Sequence, residues 1–164
     1  RSSPAARGEH PAPGDRRVRL LRCPRRHPRT ARRPQDVRRR VAACFVASAD
    51  GSRIAGYYTL ASASLLLADL PAPIGKKLPR YPTVPAVRMG RLAVDQAFKG
   101  QGLGGALLAD ALARSARAEI AAYALVVDAK DEAAESFYRH HGFIALPDTP
   151  RTLFLPLATV GGFR

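Results

Sequence analysis

The chain is short of cysteine, short of acids, and free of long apolar runs. Cys23 and Cys44 are the two cysteines among 164 residues. Their spacing matches neither a metal site nor a disulfide framework, which argues against a zinc module or a disulfide-stapled fold. Cys44 lies in an apolar stretch and reads as a small buried hydrophobe. No apolar run approaches the ~20 residues of a membrane-spanning helix. The Pro- and Arg-rich start carries no apolar segment of the kind a signal peptide has. The resulting expectation is a cytoplasmic protein with no membrane partner.

Acids number 13 against 27 Lys and Arg, for a formal net charge of +14. Residues 1–40 hold 14 of the bases and 3 of the acids, so +11 of the charge arises there. The first 34 residues also contain six prolines. Without hydrophobic periodicity, residues 1–34 cannot offset their ordering entropy and are expected to be disordered or atypical. Three roles stay open for them. They can contact nucleic-acid phosphates, be solvated without function, or derive from GC-rich DNA read from a wrong start or frame. Residues 35–160 are expected to form one domain, since such a length buries a real core and the apolar content, 46%, is ordinary.

The most informative stretch runs from Arg91 to Leu108. An apolar strand, Leu92-Ala93-Val94, leads into Lys99-Gly100-Gln101-Gly102-Leu103-Gly104-Gly105, and a helix follows at once. Glycines let the backbone approach a ligand and aim several N–H groups at one point. The helix start adds unpaired donors and the positive end of a dipole. Together they predict an anion site for a phosphate or diphosphate. A Walker loop is excluded, because no Lys-Ser or Lys-Thr follows the glycines. A Rossmann fingerprint is excluded as well: position 107 is Leu, and Glu119 precedes the next strand instead of ending it.

A second block carries chemistry. Ala121 to Asp128 is strand-like, and Asp131 to His141 is helix-like, with acids in its first turn and cations in its last. Gly142 suits the helix stop. His140 and His141 lack a partner spacing for metal and read as helix-end cations. The helix after the glycine loop, Gly104 to Ala118, carries a stripe of Ala106, Leu107, Ala109, Asp110, Ala113 and Arg114, read as a broad apolar face with charges opposite. Upstream, Val41 to Ala47 and Ile54 to Ser64 read as strands joined at Asp50-Gly51, a hairpin signal. Asp69 to Pro85 holds five prolines and reads as a loop, and Val87 to Asp95 as a strand. Phe143 to Leu146 and Thr152 to Leu157 complete one central sheet. The fold class is a mixed α/β or α+β sandwich.

Lys99-Gly100-Gln101-Gly102-Leu103-Gly104 resembles the acetyl-CoA loop of the GNAT family of N-acetyltransferases, Arg/Gln-x-x-Gly-x-Gly/Ala, with Lys at the first position. Phe137-Tyr138-Arg139-His140-His141-Gly142-Phe143 resembles the Phe-Tyr-x-x-x-Gly-Phe block of the same family. Gln35-Asp36-Val37-Arg38-Arg39-Arg40, the Pro-rich run into Gly90-Arg91-Leu92-Ala93-Val94-Asp95, and Pro147 to Leu155 narrow the likeness. They resemble the acetyltransferase toxins of bacterial type II toxin–antitoxin pairs over about residues 35–158. Arg88-Met89 departs from the apolar pair usual before Gly90.

The resemblance implies a mostly antiparallel twisted sheet flanked by helices, acetyl-CoA as cosubstrate, and no metal. It implies cofactor contacts at Leu92, Ala93, Val94, Lys99, Gly100, Gln101, Gly102, Leu103, Gly104, Gly105 and Phe137. Tyr138 would protonate the departing thiolate, a role that suits a phenol. Aminoacyl-tRNA would be the acceptor, with Arg38, Arg39, Arg40, Lys76, Lys77, Arg80 and Arg88 on its phosphates. A ribbon-helix-helix antitoxin and a homodimer are the implied protein partners. Upstream of residue 35 the family supplies a first strand and one or two helices, which the residues here do not reveal. Two other readings stay open: an acetyltransferase for a small amine or a protein N-terminus, and a non-enzymatic nucleic-acid binder or degenerate copy.

Overall fold

A computed structural model describes residues 19–22, 39–49, 51 and 53–160. Seven strands form one sheet in the order β1-β2-β3-β4-β5-β7-β6. They are β1 (Arg19–Arg22), β2 (Ala43–Ala49), β3 (Arg53–Leu66), β4 (Thr83–Val94), β5 (Ala124–Asp128), β6 (Ile144–Ala145) and β7 (Thr152–Pro156). Every neighbouring pair is antiparallel except β4 and β5, which run parallel. The helices are a single turn α1 (Ala72–Gly75), α2 (Leu103–Arg117) and α3 (Glu132–His140). The mixed sandwich expected from the sequence is the fold observed.

Side chains alternate across β5 and divide the core in two. Leu125 and Val127 face a cluster with Met89, Leu107, Leu108, Tyr138 and Leu153, where α2 and α3 pack. Ala124 and Val126 face the other side, against Leu65, Leu70, Leu146 and Phe154. Cys44 is buried in β2, as its apolar neighbours indicated, while Cys23 lies outside the described residues.

Both long helices end where the sequence places them. Asp131 caps α3, its carboxylate accepting from the Ala134 N–H at 2.8 Å. At the other end Gly142, at φ +90°, closes a Schellman pair: its N–H donates to the Arg139 carbonyl, and the Phe143 N–H donates to the Tyr138 carbonyl.

Three expectations are corrected. The first is β1, inside the stretch read as structureless. Its four residues pair with Phe45 to Ser48 as an edge strand, and so short an alternation leaves no periodic signal. The second is the Pro-rich crossing, which contains α1 and ends early, with β4 starting at Thr83 and containing Pro85. The Pro85 carbonyl accepts from the Tyr123 N–H at 2.8 Å, so the missing N–H faces a point where β5 has not begun. The third is the inner face of α2. Ala106 and Ala109 are exposed, whereas Leu107, Leu108, Ala111 and Ser115 are buried. Asp110 and Arg114 turn toward the sheet, because Tyr58 and Phe45 on its surface supply partners for them.

Candidate functional site

The parallel pairing of β4 with β5 covers only Ala86–Met89 against Ala124–Val127. Beyond Met89, β4 keeps β3 as neighbour through Val94 but has none on its other side among the described residues. The sheet is therefore forked, with Gly90 to Val94 as an open edge. A register shift falls at the fork: Thr59 pairs with Arg91 and Leu60 with Met89, leaving Gly90 as the extra residue of a bulge.

Backbone alternation sets which groups face the opening. The Asp95 N–H donates to the Ala55 carbonyl at 2.8 Å, toward β3. Ala93 therefore also points its N–H and carbonyl at β3, and Leu92 and Val94 point theirs into the fork. Gly56 supports this independently, since a Cβ built on it would lie 2.7 Å from the Ala93 carbonyl oxygen. Leu92 and Val94 thus offer the backbone groups of an unpaired strand edge. Ala93 turns its backbone groups to β3 instead, so the expected backbone pairing with the cosubstrate falls to Leu92 and Val94.

The glycine loop stands at the end of that edge. Gly100 and Gly102 both adopt φ +77°, a left-handed geometry that side chains resist. Gly102 is the N-cap of α2, and the first helical bond runs from the Ala106 N–H to its carbonyl. The N–H groups of Leu103, Gly104 and Gly105 precede that bond and have no acceptor in the helix. No side chain caps them, and a Cβ at Gly100 or Gly102 would meet nothing within 4 Å. The result is an open concave set of donors at the positive end of a 15-residue helix. Such a cradle fits a diphosphate, and the open strand edge fits an amide-bearing arm laid beside it. Lys99 and Gln101 are exposed at its rim.

Phe137 and Tyr138 approach from α3. The Phe137 ring would touch a Cβ at Gly104 at 3.7 Å. Tyr138 is 7% exposed and packs against Phe137 and Phe143, with ring centroids at 5.2 and 5.4 Å. Its hydroxyl has no hydrogen-bond partner among the described residues. Burial pushes the Tyr138 phenol above its ordinary value, so it is protonated at neutral pH.

A second polar group, unforeseen from the sequence, lies under α2. Tyr58, fully buried in β3, donates to the Asp110 carboxylate, which also receives Arg114 at 2.8 Å. The Arg114 guanidinium stacks over Phe45 at 4.3 Å, and Phe45 stacks on Tyr58. The i,i+4 spacing of Asp110 and Arg114 was legible, but their buried tyrosine partner was not.

The expected phosphate contacts separate. Arg38 lies outside the described residues. Arg39 and Arg40 are exposed in a turn before β2. Lys76 and Arg80 line a groove of about 770 Å³ with Leu66, Leu70 and Tyr81, beside the exposed Lys77. This group sits before the start of β4, whereas the glycine loop follows its end. Arg88 belongs with neither group. Its guanidinium pairs with Asp128 across the fork, and Thr152 donates to the same carboxylate at 2.8 Å. Its charge is met by an exposed carboxylate at the sheet surface, apart from the other expected phosphate contacts. Among the described residues, no three His, Cys, Asp or Glu side chains converge on a metal-sized site, and no helix is long and apolar enough to cross a membrane.

A family model described as an acetyltransferase (GNAT) domain matches residues 40–145, which span the fork, the glycine loop and Tyr138. The chain belongs to the GNAT acetyltransferase family. Its relatives include the tRNA-acetylating toxin of Mycobacterium tuberculosis, 40% identical over 114 residues, covering 68% of this chain and 67% of the relative. Another is the probable toxin TacT of Sinorhizobium fredii, 34% identical over 68% of this chain and 66% of the relative. This GNAT chain thus spans about two thirds of the length of the curated relatives it matches. A crystal structure of a KacT mutant aligns with TM-score 0.76 at 29% identity, covering 81% of each chain. AtaT complexed with acetyl-methionyl-tRNA aligns with TM-score 0.71 at 31% identity, covering 78% of each. AtaTR bound with acetyl-CoA aligns with TM-score 0.67 at 30% identity, covering 78% of this chain and 77% of that one.

Proposed function

We propose that this GNAT chain is a toxin that acetylates the α-amine of aminoacyl-tRNA and so blocks translation. The observation that carries the reading is the forked sheet. An unpaired strand edge ends in a left-handed glycine loop and an uncapped helix, with a buried tyrosine on the adjoining helix. Likeness to a tRNA-acetylating toxin and to AtaT in complex with acetyl-methionyl-tRNA supports the choice of acceptor. AtaTR bound with acetyl-CoA supports the cosubstrate.

Each residue then has a task. The N–H groups from Gly100 to Gly105 hold the diphosphate, with Lys99 and Gln101 at the rim and Leu103 in the first helical turn. Leu92 and Val94 pair through their backbone with the amide-bearing arm. Phe137 packs against Gly104 and walls the opening. Bound acetyl-CoA supplies an acyl thioester, whose C–S bond breaks as the acceptor nitrogen forms the C–N bond. A β4 N–H facing the fork stabilises the negative charge that develops on the carbonyl oxygen. Tyr138 holds a proton on its phenol oxygen and gives it to the leaving sulfur, while the proton shed by the acceptor nitrogen as the amide forms passes to solvent, from which the phenolate is reprotonated. The acceptor nitrogen must be neutral, and an aminoacyl ester amine is less basic than lysine, so a strong base is not required.

Arg38, Arg39 and Arg40 form one basic group and Lys76, Lys77 and Arg80 another, both assigned to tRNA phosphates. A ribbon-helix-helix antitoxin and assembly as a homodimer complete the proposal. The deciding experiment follows acetyl transfer from labelled acetyl-CoA to a pool of charged tRNA, with the natural chain beside Tyr138→Phe. Label on the aminoacyl group, lost in the variant, is the expected result. Label on small amines and none on tRNA replaces the acceptor.

A further inference from the structure

His141, the residue that ends α3, stands against the diphosphate cradle with one ring nitrogen uncommitted. Its Nδ1 lies 2.8 Å from the Phe137 carbonyl oxygen. A carbonyl only accepts, so Nδ1 carries the hydrogen and donates it. The ring is held there by the Phe137 ring, at 4.6 Å between centroids. The other nitrogen, Nε2, would lie 3.3 Å from a Cβ built on Gly105. Cβ directions on a helix tilt toward its N-terminus, so Nε2 sits beside the first turn of α2, on the side of its free N–H groups. No described residue donates to Nε2 or accepts from it.

The locked Nδ1–H fixes what Nε2 can do. In the neutral ring Nε2 is a bare lone pair, which repels a phosphate oxygen. In the imidazolium it is a donor carrying positive charge, which attracts one. We propose that His141 completes the diphosphate cradle as an imidazolium, so that binding of the cosubstrate takes up a proton at Nε2. The inference rests on the acetyl-CoA site proposed above and adds a residue and a proton to it.

The surroundings leave an imidazolium here without a counter-ion until an anion binds. On α3, His140 meets His141 edge-on with ring centroids at 5.3 Å, and the Arg139 guanidinium is taken by Glu135 at 3.1 Å. The first turn of α2 carries no acid, and Lys99 at the start of the glycine loop adds positive charge. From β7, Leu155 approaches the neighbouring Gly142 with an apolar side chain. Among the described residues no carboxylate pairs with either histidine. A bound diphosphate would then be the anion nearest to Nε2. A Cβ at Gly105 would press on the imidazole, so glycine at that position leaves room for it as well as for the backbone donors.

Calorimetric titration of the full chain with dephospho-CoA tests the proposal, because the diphosphate in that ligand does not titrate near neutrality. Proton uptake is read by repeating the titration in buffers of different ionisation enthalpy. The natural chain is expected to take up protons on binding, with affinity higher at pH 6 than at pH 8.5. His141→Gln is expected to abolish the uptake and weaken binding about tenfold at pH 6, with little difference at pH 8.5. His140→Gln should retain the uptake. S-acetylpantetheine, which lacks the diphosphate, should bind both variants and the natural chain alike. Uptake that persists in His141→Gln, or no uptake in the natural chain, overturns the role of His141 and leaves the cosubstrate site standing. No binding of acetyl-CoA by the folded natural chain overturns the site itself.

Discussion

Two buried tyrosines carry opposite kinds of work, and their surroundings explain why. Tyr58 donates to Asp110, whereas Tyr138 has a hydroxyl with no protein partner among the described residues. A phenol held by a carboxylate is structural, and one with no protein partner among the described residues is free for a substrate. Tyr138→Phe is therefore expected to lower acetyl transfer by about 10² to 10⁴ while leaving the circular dichroism spectrum and acetyl-CoA affinity unchanged. Because burial raises the Tyr138 pKa, activity should show no alkaline loss from this group below about pH 10. Its acid limb should instead follow the acceptor amine. Tyr58→Phe is expected to leave chemistry intact and cost about 1–2 kcal/mol of stability. The Tyr58 phenol is pushed far up, first by burial and then by Asp110. A raised folded-state pKa gives stability that is complete below the unfolded value near 10 and declines above it. Thermal melts at pH 9 and pH 11 should thus differ less in Tyr58→Phe than in the natural chain. An equal pH dependence in the two proteins would contradict that assignment.

At the scale of elements, glycines of two kinds hold the site. Gly56 sits where β3 passes under α2. A Cβ there would meet the Ala93 carbonyl at 2.7 Å and the Leu107 side chain at 2.9 Å. Gly56→Ala is expected to cost roughly 2–4 kcal/mol by forcing the helix off the strand, read as a lowered denaturation midpoint. Gly102 has open space around it and a left-handed φ. Gly102→Ala should cost only about 1 kcal/mol of folding yet weaken acetyl-CoA binding by a larger factor, because the added methyl enters the cradle. A calorimetric comparison of the two variants separates them. The Schellman end of α3 belongs to the same scale, since it fixes where Phe137, Tyr138 and His141 stand relative to α2.

Across the whole molecule, charge and topology separate. Of the net charge of +14, +11 falls in residues 1–40, whereas Lys76, Lys77 and Arg80 cluster beside a groove before β4. If those groups bind phosphates, replacing Lys76, Lys77 and Arg80 by Ala should weaken tRNA binding uniformly. The slope of affinity against salt should fall by about one for each phosphate-binding cation removed. An unchanged slope would return these residues to the solvated surface. The strand β1 changes how the basic segment must be tested. Removing residues 1–34 deletes a paired strand, whereas removing residues 1–18 spares it. The shorter truncation should therefore melt like the full chain, and the longer one should be less stable.

Local rules placed β2, β3, α2 and α3 to within a few residues, because apolar alternation, the Asp131 cap, the Gly142 stop and the Asp50-Gly51 turn are each read over short spans. They also isolated the glycine loop, whose left-handed backbone at Gly100 and Gly102 favours glycine. β1 escaped notice because four residues carry no period of their own and hold their place through β2. The inward turn of Asp110 and Arg114 escaped because this half-buried ion pair depends on Tyr58, 52 positions before Asp110 in sequence. Arg88 likewise reads as a free cation until Asp128, 40 residues on, is seen across the fork. The amino-acid sequence by itself determined most of the elements and the glycine loop that ends β4, since both are written in neighbouring residues. The tertiary structure alone decided where β4 and β5 part, which carbonyls and N–H groups face the opening, and that His141 stands beside Gly105, since those relations join segments the sequence keeps apart.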